Sequence, residues 1–324
     1  MVSERTHRVQ WASKLSLFIG PCLLGLLLWK TDLSTLEHTL KDTDLLWFTA
    51  AVGGWFVNGL IKAMRWRMIL NAQQIDLSIR NAIRWYLAAL FLGGVSPGRL
   101  GELWKVKHLL HQGHPLGRSL FSTIMDRMYD LLILPVMACV GMVLYGGLLS
   151  EELWILVLGL LGLLLTLLVL WKTRHLLAIP IRAMIPHRWK DSLRDTGIDL
   201  VAEFRGIPVS THVASASMTL MTWLLYMGSV YLLALSIGLE VDPIYLGVMA
   251  LLAALAGLLP VTVSGLGTRD GVFVLCLGRI GITMAHALAL SALVLLLNIT
   301  LTLIYIAPYF TTLSTSPPPS ETEI

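Results

Sequence analysis

The hydrophobic residues of this chain form long, nearly unbroken runs separated by short polar segments. A helix that crosses a membrane needs about 20 mostly apolar residues. Six runs come close to that length or exceed it, at residues 13–30, 44–62, 119–148, 152–171, 211–237 and 283–308. Each run predicts a full transmembrane span. The fold class that follows is an all-α, polytopic helical membrane bundle.

Two further apolar stretches are interrupted part-way. Residues 82–97 end in a Ser-Pro-Gly sequence, and residues 244–264 are interrupted by Pro260. Pro removes a backbone donor and Gly loosens a helix, so both stretches are expected to stop within the membrane. A short helix-compatible segment follows each of them, at 102–110 and 271–277. The pattern predicts two re-entrant helical hairpins in corresponding places of the two halves, an arrangement typical of an inverted repeat around a shared binding site.

The segments outside these runs complete the domain organisation. Residues 1–12 are expected to form a short cytoplasmic N-terminus, followed by a transmembrane domain over residues 13–310. Within that domain, residues 173–209 combine an apolar helical face with charged positions, which predicts a cytoplasmic amphipathic segment. Residues 311–324 are rich in Ser, Thr and Pro and are expected to be a disordered tail.

Composition and charge support a membrane protein with a defined orientation. Hydrophobic residues make up 56% of the chain and charged residues 14%, against about 45–50% and about 25% in soluble domains. With the N-terminus inside, the cytoplasmic pieces are 1–14, 62–84, 105–118, 172–210 and the tail. These pieces hold 18 Lys and Arg residues, whereas the outer loops hold three. The positive-inside rule therefore predicts a multi-pass inner-membrane protein with both termini in the cytoplasm.

Ionisable residues inside the apolar region are the most informative feature, because each costs about 2.5–3.5 kcal/mol at the membrane centre. The first group is Gly98, Arg99, Gly101 and Glu102, directly after the first helix break. A helix that begins here directs free N–H groups at an anion, and Arg99 is suited to binding phosphate. The alternative is that Arg99 reaches the cytoplasmic surface and Glu102 only pairs with it.

The second group follows the break in the other half of the chain. Ser264, Gly265, Gly267, Arg269 and Asp270 again combine small residues, a hydroxyl group and a paired charge. Their recurrence at a second broken helix favours a shared binding site. The alternative is an ordinary outer loop, which tolerates all of these residue types.

The third group lies near the start of the span at 119–148. Asp126 and Asp130 are four residues apart and share one helix face, with Arg127 able to reach Asp130. These residues are expected either to neutralise an arginine of the hairpins or to relay protons. A self-satisfied ion pair near the inner interface is the alternative.

No metal, cofactor or nucleic-acid site is expected. His108, His111 and His114 are spaced three apart, but they lie in a basic segment without a Cys or carboxylate partner. Proximity to lipid headgroups explains them better than a metal ion does.

Taken together, these motifs resemble the lysylphosphatidylglycerol synthase transmembrane-domain family of flippase-like membrane proteins. The segments 96–103, 122–130 and 260–271 carry the resemblance, and the Arg-Trp-Arg sequence at 65–67 also fits. The resemblance extends over nearly the whole chain, about residues 13–310. It implies a membrane protein that binds a lipid, phospholipid or polyprenyl phosphate. The soluble aminoacyl-transferase half of the family's best-understood members is not expected here, so aminoacyl transfer is not implied.

The function expected is binding, and translocation between leaflets, of an anionic lipid headgroup. Arg99 and Arg269, with the half-helix N-termini, are expected to hold the phosphate together in a sheltered aqueous pocket. Glu102, Asp126 and Asp270 then balance charge or sense a cationic headgroup such as an aminoacyl amine. One departure from the family pattern is Asp270, where the resemblance leads us to expect Glu.

Two other functions stay open from the sequence. The first is a membrane-embedded transferase acting on a polyprenyl-phosphate sugar, for which Glu102 or Asp270 would be the base. The second is a non-transporting partner that positions a separately encoded lipid-modifying enzyme.

Overall fold

The computed structural model describes residues 29, 32–96, 101–145, 206–258 and 267–313. Within these ranges the regular structure is entirely helical. The helices are α1 Leu33–Lys41, α2 Leu45–Ala72, α3 Ile79–Val95, α4 Trp104–His111, α5 Leu116–Leu144, α6 Val209–Ser236, α7 Pro243–Leu258, α8 Thr268–Arg279, α9 Met284–Ile304 and α10 Ile306–Leu313. The expected span at 152–171 lies outside the described residues, as do nearly all of the span at 13–30 and of the amphipathic segment at 173–209.

In the described part of the chain, four stretches of helix are long and apolar enough to cross a membrane: α2, α5, α6 and the region Met284–Thr312 formed by α9 and α10. They coincide with four of the six expected spans. The expected second span at 44–62 lies within α2, which continues as a helix to Ala72. The apolar run stops at Lys62, but the helix goes on with buried Trp66 and Ile69 on one face.

The extension of α2 changes the number of Lys and Arg residues counted as cytoplasmic, but these residues remain in excess on that side. Lys62, Arg65 and Lys105 pair with Asp126 and Asp130 inside the bundle, so we remove these three from the count of cytoplasmic charges. Without them the inner segments still hold fifteen Lys and Arg residues against three in the outer ones. The asymmetry that predicts the orientation therefore persists.

The helices of the two halves follow the same order. A long helix, two short helices and a long helix make up α2 to α5, and the same sequence of lengths recurs in α6 to α9. Among the described helices, the most extensive contact joins α2 to α6. The two helices are antiparallel, because Asp44 N donates to the Ser236 carbonyl at 2.7 Å and Asn58 Nδ2 to the Thr222 carbonyl at 2.6 Å. Packing of α5 on α7 is matched by packing of α9 on α3.

The short helices coincide in sequence with the expected arms of the two hairpins. At 17 and 16 residues, α3 and α7 extend about 25 Å, less than the roughly 30 Å hydrocarbon core. Each packs against the short helix that follows it, α3 on α4 and α7 on α8. The connecting residues 97–100 and 259–266 lie outside the described residues.

Glycine permits α3 to pack closely against residues 101 and 102, just before α4. Gly101 N donates to Ser96 Oγ at 2.7 Å, and a Cβ atom on Gly101 would lie 2.2 Å from the Leu92 carbonyl oxygen. A Cβ atom on Gly93 would meet the Glu102 side chain at 2.7 Å. The two glycines thus place Glu102 directly against α3.

Among the described residues, the largest apolar cluster and most of the buried charges occupy different parts of the bundle. The apolar cluster is built mainly from α5 to α9, and eleven of the sixteen residues of α7 are buried, ten of them in this cluster. Arg65 and Lys105 are buried in α2 and α4. Asp242 joins the end of α5 to the start of α7 by accepting from Tyr145 Oη at 2.5 Å and Tyr245 N at 2.7 Å, contacts that lower the pKa of Asp242.

Substitution of Gly101 by Ala is expected to destabilise the protein by about 1–3 kcal/mol, because the new methyl group overlaps the backbone of Leu92. The measurement is the midpoint of thermal unfolding in detergent micelles. Gly53→Ala is the matched control, since a Cβ atom there meets nothing within 4 Å. This control is expected to be neutral or to gain about 0.5–1 kcal/mol. Equal midpoints for the two variants would contradict the proposed packing.

Candidate functional site

A fully buried arginine on α2 links three helices. Arg65 Nε donates to Asp126 Oδ1 at 2.9 Å, and Arg65 Nη1 donates to Asp130 Oδ1 at 2.9 Å, both on α5. The Nη1 group also donates to Thr219 Oγ1 on α6 at 2.5 Å, and Nη2 donates to the Asp126 carbonyl at 2.9 Å. The planar guanidinium group thereby fixes the relative position of α2, α5 and α6.

Asp126 extends this network to the first pair of short helices. Its Oδ2 atom accepts from Tyr86 Oη on α3 at 2.9 Å and from Lys105 Nζ on α4 at 3.3 Å. Lys105 is fully buried, with its Nζ atom 4.3 Å from the centre of the Tyr86 ring and 5.1 Å from that of Trp66. The ammonium group is therefore enclosed by one carboxylate and two aromatic faces, which is a favourable setting for a desolvated cation.

Asp130 brings a third cation into the network. Lys62 Nζ lies 3.1 Å from Asp130 Oδ2, and the Lys62 side chain is 16% exposed. The same ammonium group lies 5.5 Å from the centre of the Trp223 ring on α6. We call Lys62, Arg65, Lys105, Asp126 and Asp130 the Arg65 cluster. Its three cations and two carboxylates sum to a charge of +1.

A separate ion pair lies beside the Arg65 cluster. Arg127 binds the carboxylate of Glu102, and the two side chains are 29% and 4% exposed. Sequence spacing predicted that Arg127 reaches Asp130, whereas the salt bridge in the structure is to Glu102 on the neighbouring segment. Asp126 and Asp130 do share one face of α5, as predicted, and both bind Arg65.

The second half carries a cluster that is closed on itself. Gly267, at a φ of +83°, precedes α8, and its backbone N donates to Asp270 Oδ2 at 2.7 Å. Ser291 Oγ on α9 donates to Asp270 Oδ1 and accepts from Arg269 Nε at 3.2 Å. Arg269 Nη2 also lies 3.3 Å from Asp270 Oδ1. Asp270 thus caps α8 and joins its first turn to α9.

The predicted site residues fall into three sets. Glu102, Asp126, Arg127 and Asp130 come together around α4 and α5, with Gly101 beside them. The second-half residues Gly267, Arg269 and Asp270 form the cluster on α8 and α9. The remaining four, Gly98, Arg99, Ser264 and Gly265, lie outside the described residues. Convergence of Arg99 and Arg269 therefore stays a prediction.

Sequence reasoning missed the residues at the centre of the network. Lys62, Arg65 and Lys105 were assigned to cytoplasmic loops because they follow or lie outside apolar runs. A signal was present: Trp66, Ile69 and Leu70 continue the helical spacing beyond Lys62, and all three are fully buried. That spacing predicts that α2 continues and that Arg65 lies inside the bundle.

The histidine triplet has a simple structural role. His108 is buried, with its ring centre 4.0 Å from that of Trp104 and 5.1 Å from that of Trp85. His111 is exposed at the end of α4. In the ranges that the structure describes, no group of three or more His, Cys, Asp or Glu side chains is placed to hold a metal ion.

Long apolar helices around buried charges define a multi-pass membrane protein. A family model described as the lysylphosphatidylglycerol synthase TM region matches residues 14–305, and the chain belongs to this family. The resemblance expected from the sequence motifs is thereby confirmed. A comparison with curated proteins gives no match.

Substitution of Asp126 by Asn is expected to destabilise the protein by about 3–5 kcal/mol. It leaves Arg65 and Lys105 buried with one carboxylate fewer between them. Glu37→Gln is the matched control, because its ion pair with Lys41 is exposed and contributes at most about 1 kcal/mol. Unfolding midpoints of both variants in the same detergent provide the comparison. If Asp126→Asn has the same unfolding midpoint as the wild type, the network does not hold the bundle together.

Proposed function

We propose that this protein binds the anionic headgroup of a phospholipid or a polyprenyl phosphate and moves it between the two leaflets of the membrane. The observation that carries the proposal is the Arg65 cluster, in which three cations share two carboxylates between helices long enough to span a bilayer. Charges at such positions are costly and mark substrate pathways in membrane proteins. Membership of the lysylphosphatidylglycerol synthase TM region family supports a role with lipids.

Lys62 is the cation of the cluster best placed to meet a phosphate. Asp130 is neutralised by two guanidinium nitrogens of Arg65, at 2.9 and 3.3 Å. Lys62 is a second cation on this same carboxylate and the most exposed member of the cluster. It can therefore turn toward a phosphate oxygen while Arg65 keeps Asp130 paired.

The path across the membrane is supplied by an inverted repeat with two re-entrant hairpins. The antiparallel contact of α2 with α6 and the repeated order of helices support this arrangement. Six full spans and cytoplasmic termini complete the proposed topology. Breaks in both hairpins shorten the apolar barrier, so the headgroup crosses while its chains remain in lipid.

The hairpin breaks provide further contacts in this proposal. Arg99 and Arg269 bind the phosphate together with backbone N–H groups at the starts of α4 and α8. Gly98, Gly101 and Gly267 allow the backbone to approach the ligand closely. Ser264 and Gly265 serve the second hairpin in the same way.

Lys62→Gln is expected to lower the rate of phospholipid translocation about tenfold, because it removes one charge-assisted contact. The assay uses the full chain in liposomes with fluorescent phosphatidylglycerol and a quencher added outside. Lys41→Gln, at an exposed lysine of α1, is the matched control and is expected to retain the wild-type rate. A second comparison uses the Arg99→Ala/Arg269→Ala double variant. Translocation at the wild-type rate by this variant and by Lys62→Gln would refute the assignment.

The inverted repeat predicts opposite locations for two exposed loop acids. Asp76 lies after α2 and Glu240 after α6. In a background lacking Cys22, Cys139 and Cys276, a membrane-impermeant maleimide is expected to label Asp76→Cys from the cytoplasmic side and Glu240→Cys from outside. Labelling of both from one side would exclude this topology.

A further inference from the structure

The carboxylates of the two clusters are consistently shielded. Helices α2 to α9, in the ranges that the structure describes, contain three acids, and Glu102 lies just before α4. The exposed fractions of Glu102, Asp126, Asp130 and Asp270 are 3%, 0%, 6% and 3%. An approaching headgroup therefore finds almost no carboxylate surface at either cluster.

Each of these carboxylates is already bound by groups of the protein itself. The pairings are Arg127 on Glu102; Arg65, Lys105 and Tyr86 on Asp126; Arg65 and Lys62 on Asp130; and Gly267 N, Ser291 and Arg269 on Asp270. A ligand ammonium group would have to displace one of these donors to bind.

The cations have the opposite placement. Side-chain exposure is 29% for Arg127 against 4% for Glu102, and 16% for Lys62 against 8% for Asp130. Arg127 lies one turn before Asp130 on α5, and Asp130 is the residue that Lys62 contacts. In both ion pairs the cation is therefore the more exposed partner and the carboxylate the more buried one.

We infer that this site selects headgroups that carry negative charge without an ammonium group, such as phosphatidylglycerol or a prenyl phosphate, over zwitterionic and aminoacylated ones. The inference rests on the proposed function and specifies its substrate class. A phosphate can bind Lys62 while Arg65 keeps Asp130 paired. An ammonium group meets like charges first, which is an effective way to exclude a competitor.

The test is lipid binding to the full chain, measured by native mass spectrometry in detergent. The probes are dioleoyl forms of phosphatidylglycerol, phosphatidylethanolamine and lysylphosphatidylglycerol, supplied in equal amounts. Phosphatidylglycerol is expected to be retained about tenfold over each of the other two. Equal or greater retention of lysylphosphatidylglycerol would overturn the selectivity and would favour carboxylates that sense an amine.

Variants of the Arg127–Glu102 pair make the test specific to this site. Arg127→Gln frees the Glu102 carboxylate and is expected to shift retention at least about tenfold toward lysylphosphatidylglycerol. Should that variant fail to fold, the neutral double variant Glu102→Gln/Arg127→Gln avoids a buried unpaired charge. It is expected to lose part of the preference for phosphatidylglycerol without gaining lysylphosphatidylglycerol. Arg279→Gln, at an exposed arginine at the end of α8, is the matched control and should behave as wild type.

The outcomes separate the two proposals. If neither the three lipids nor an added polyprenyl phosphate is retained above the level of a neutral diacylglycerol, the proposed function fails together with the inference. If phosphatidylethanolamine or lysylphosphatidylglycerol is retained as well as phosphatidylglycerol, lipid binding stands and the selectivity fails. An unchanged preference in both Arg127 variants would also overturn the assignment of selectivity to this region.

Discussion

The contact of the Arg65 guanidinium group with Asp126 and Asp130 organises the first half of the molecule. Helices in a membrane gain little from apolar burial, since lipid chains are as apolar as leucine. A saturated polar network therefore has a large influence on which helices meet. Arg65 joins α2 to α5 and α6, and Asp126 adds α3 and α4. Five helices thus converge on one guanidinium group and its two acids.

The two halves share an order of helices but differ in chemistry. In the second half, Asp270 is occupied by its own helix start and by Ser291, and the neighbouring α7 is almost wholly apolar. Its polar residues hold α8 against α9. The first half concentrates cations around shared carboxylates and leaves Lys62 and Arg127 partly exposed. The two halves thus share an order of helices but differ in how exposed their paired cations are.

Much of the architecture could be predicted from the sequence because apolar runs and helix breakers act locally. The lengths of α5 and α6 and the short arms α3 and α7 follow from these signals. The common face of Asp126 and Asp130 follows from a spacing of four residues. The partner of Arg127 was not predictable in the same way, because Asp130 is near in sequence whereas Glu102 is brought near by the folding of α3 and α4. Hydropathy alone also did not show how far α2 continues. A run of apolar residues cannot reveal that Arg65, which lies beyond the run, is paired inside the bundle.

The paired charges on α4 and α5 have a mechanical consequence. Glu102 and Lys105 lie three residues apart and hold Arg127 and Asp126, which are neighbours in the chain. The order of signs is opposite on the two sides, so sliding one helix along the other brings like charges together. Movement of residues 102–105 along α5 would therefore break both salt bridges. The two salt bridges thus favour a single register of residues 102–105 on α5 and oppose a gradual shift along that helix.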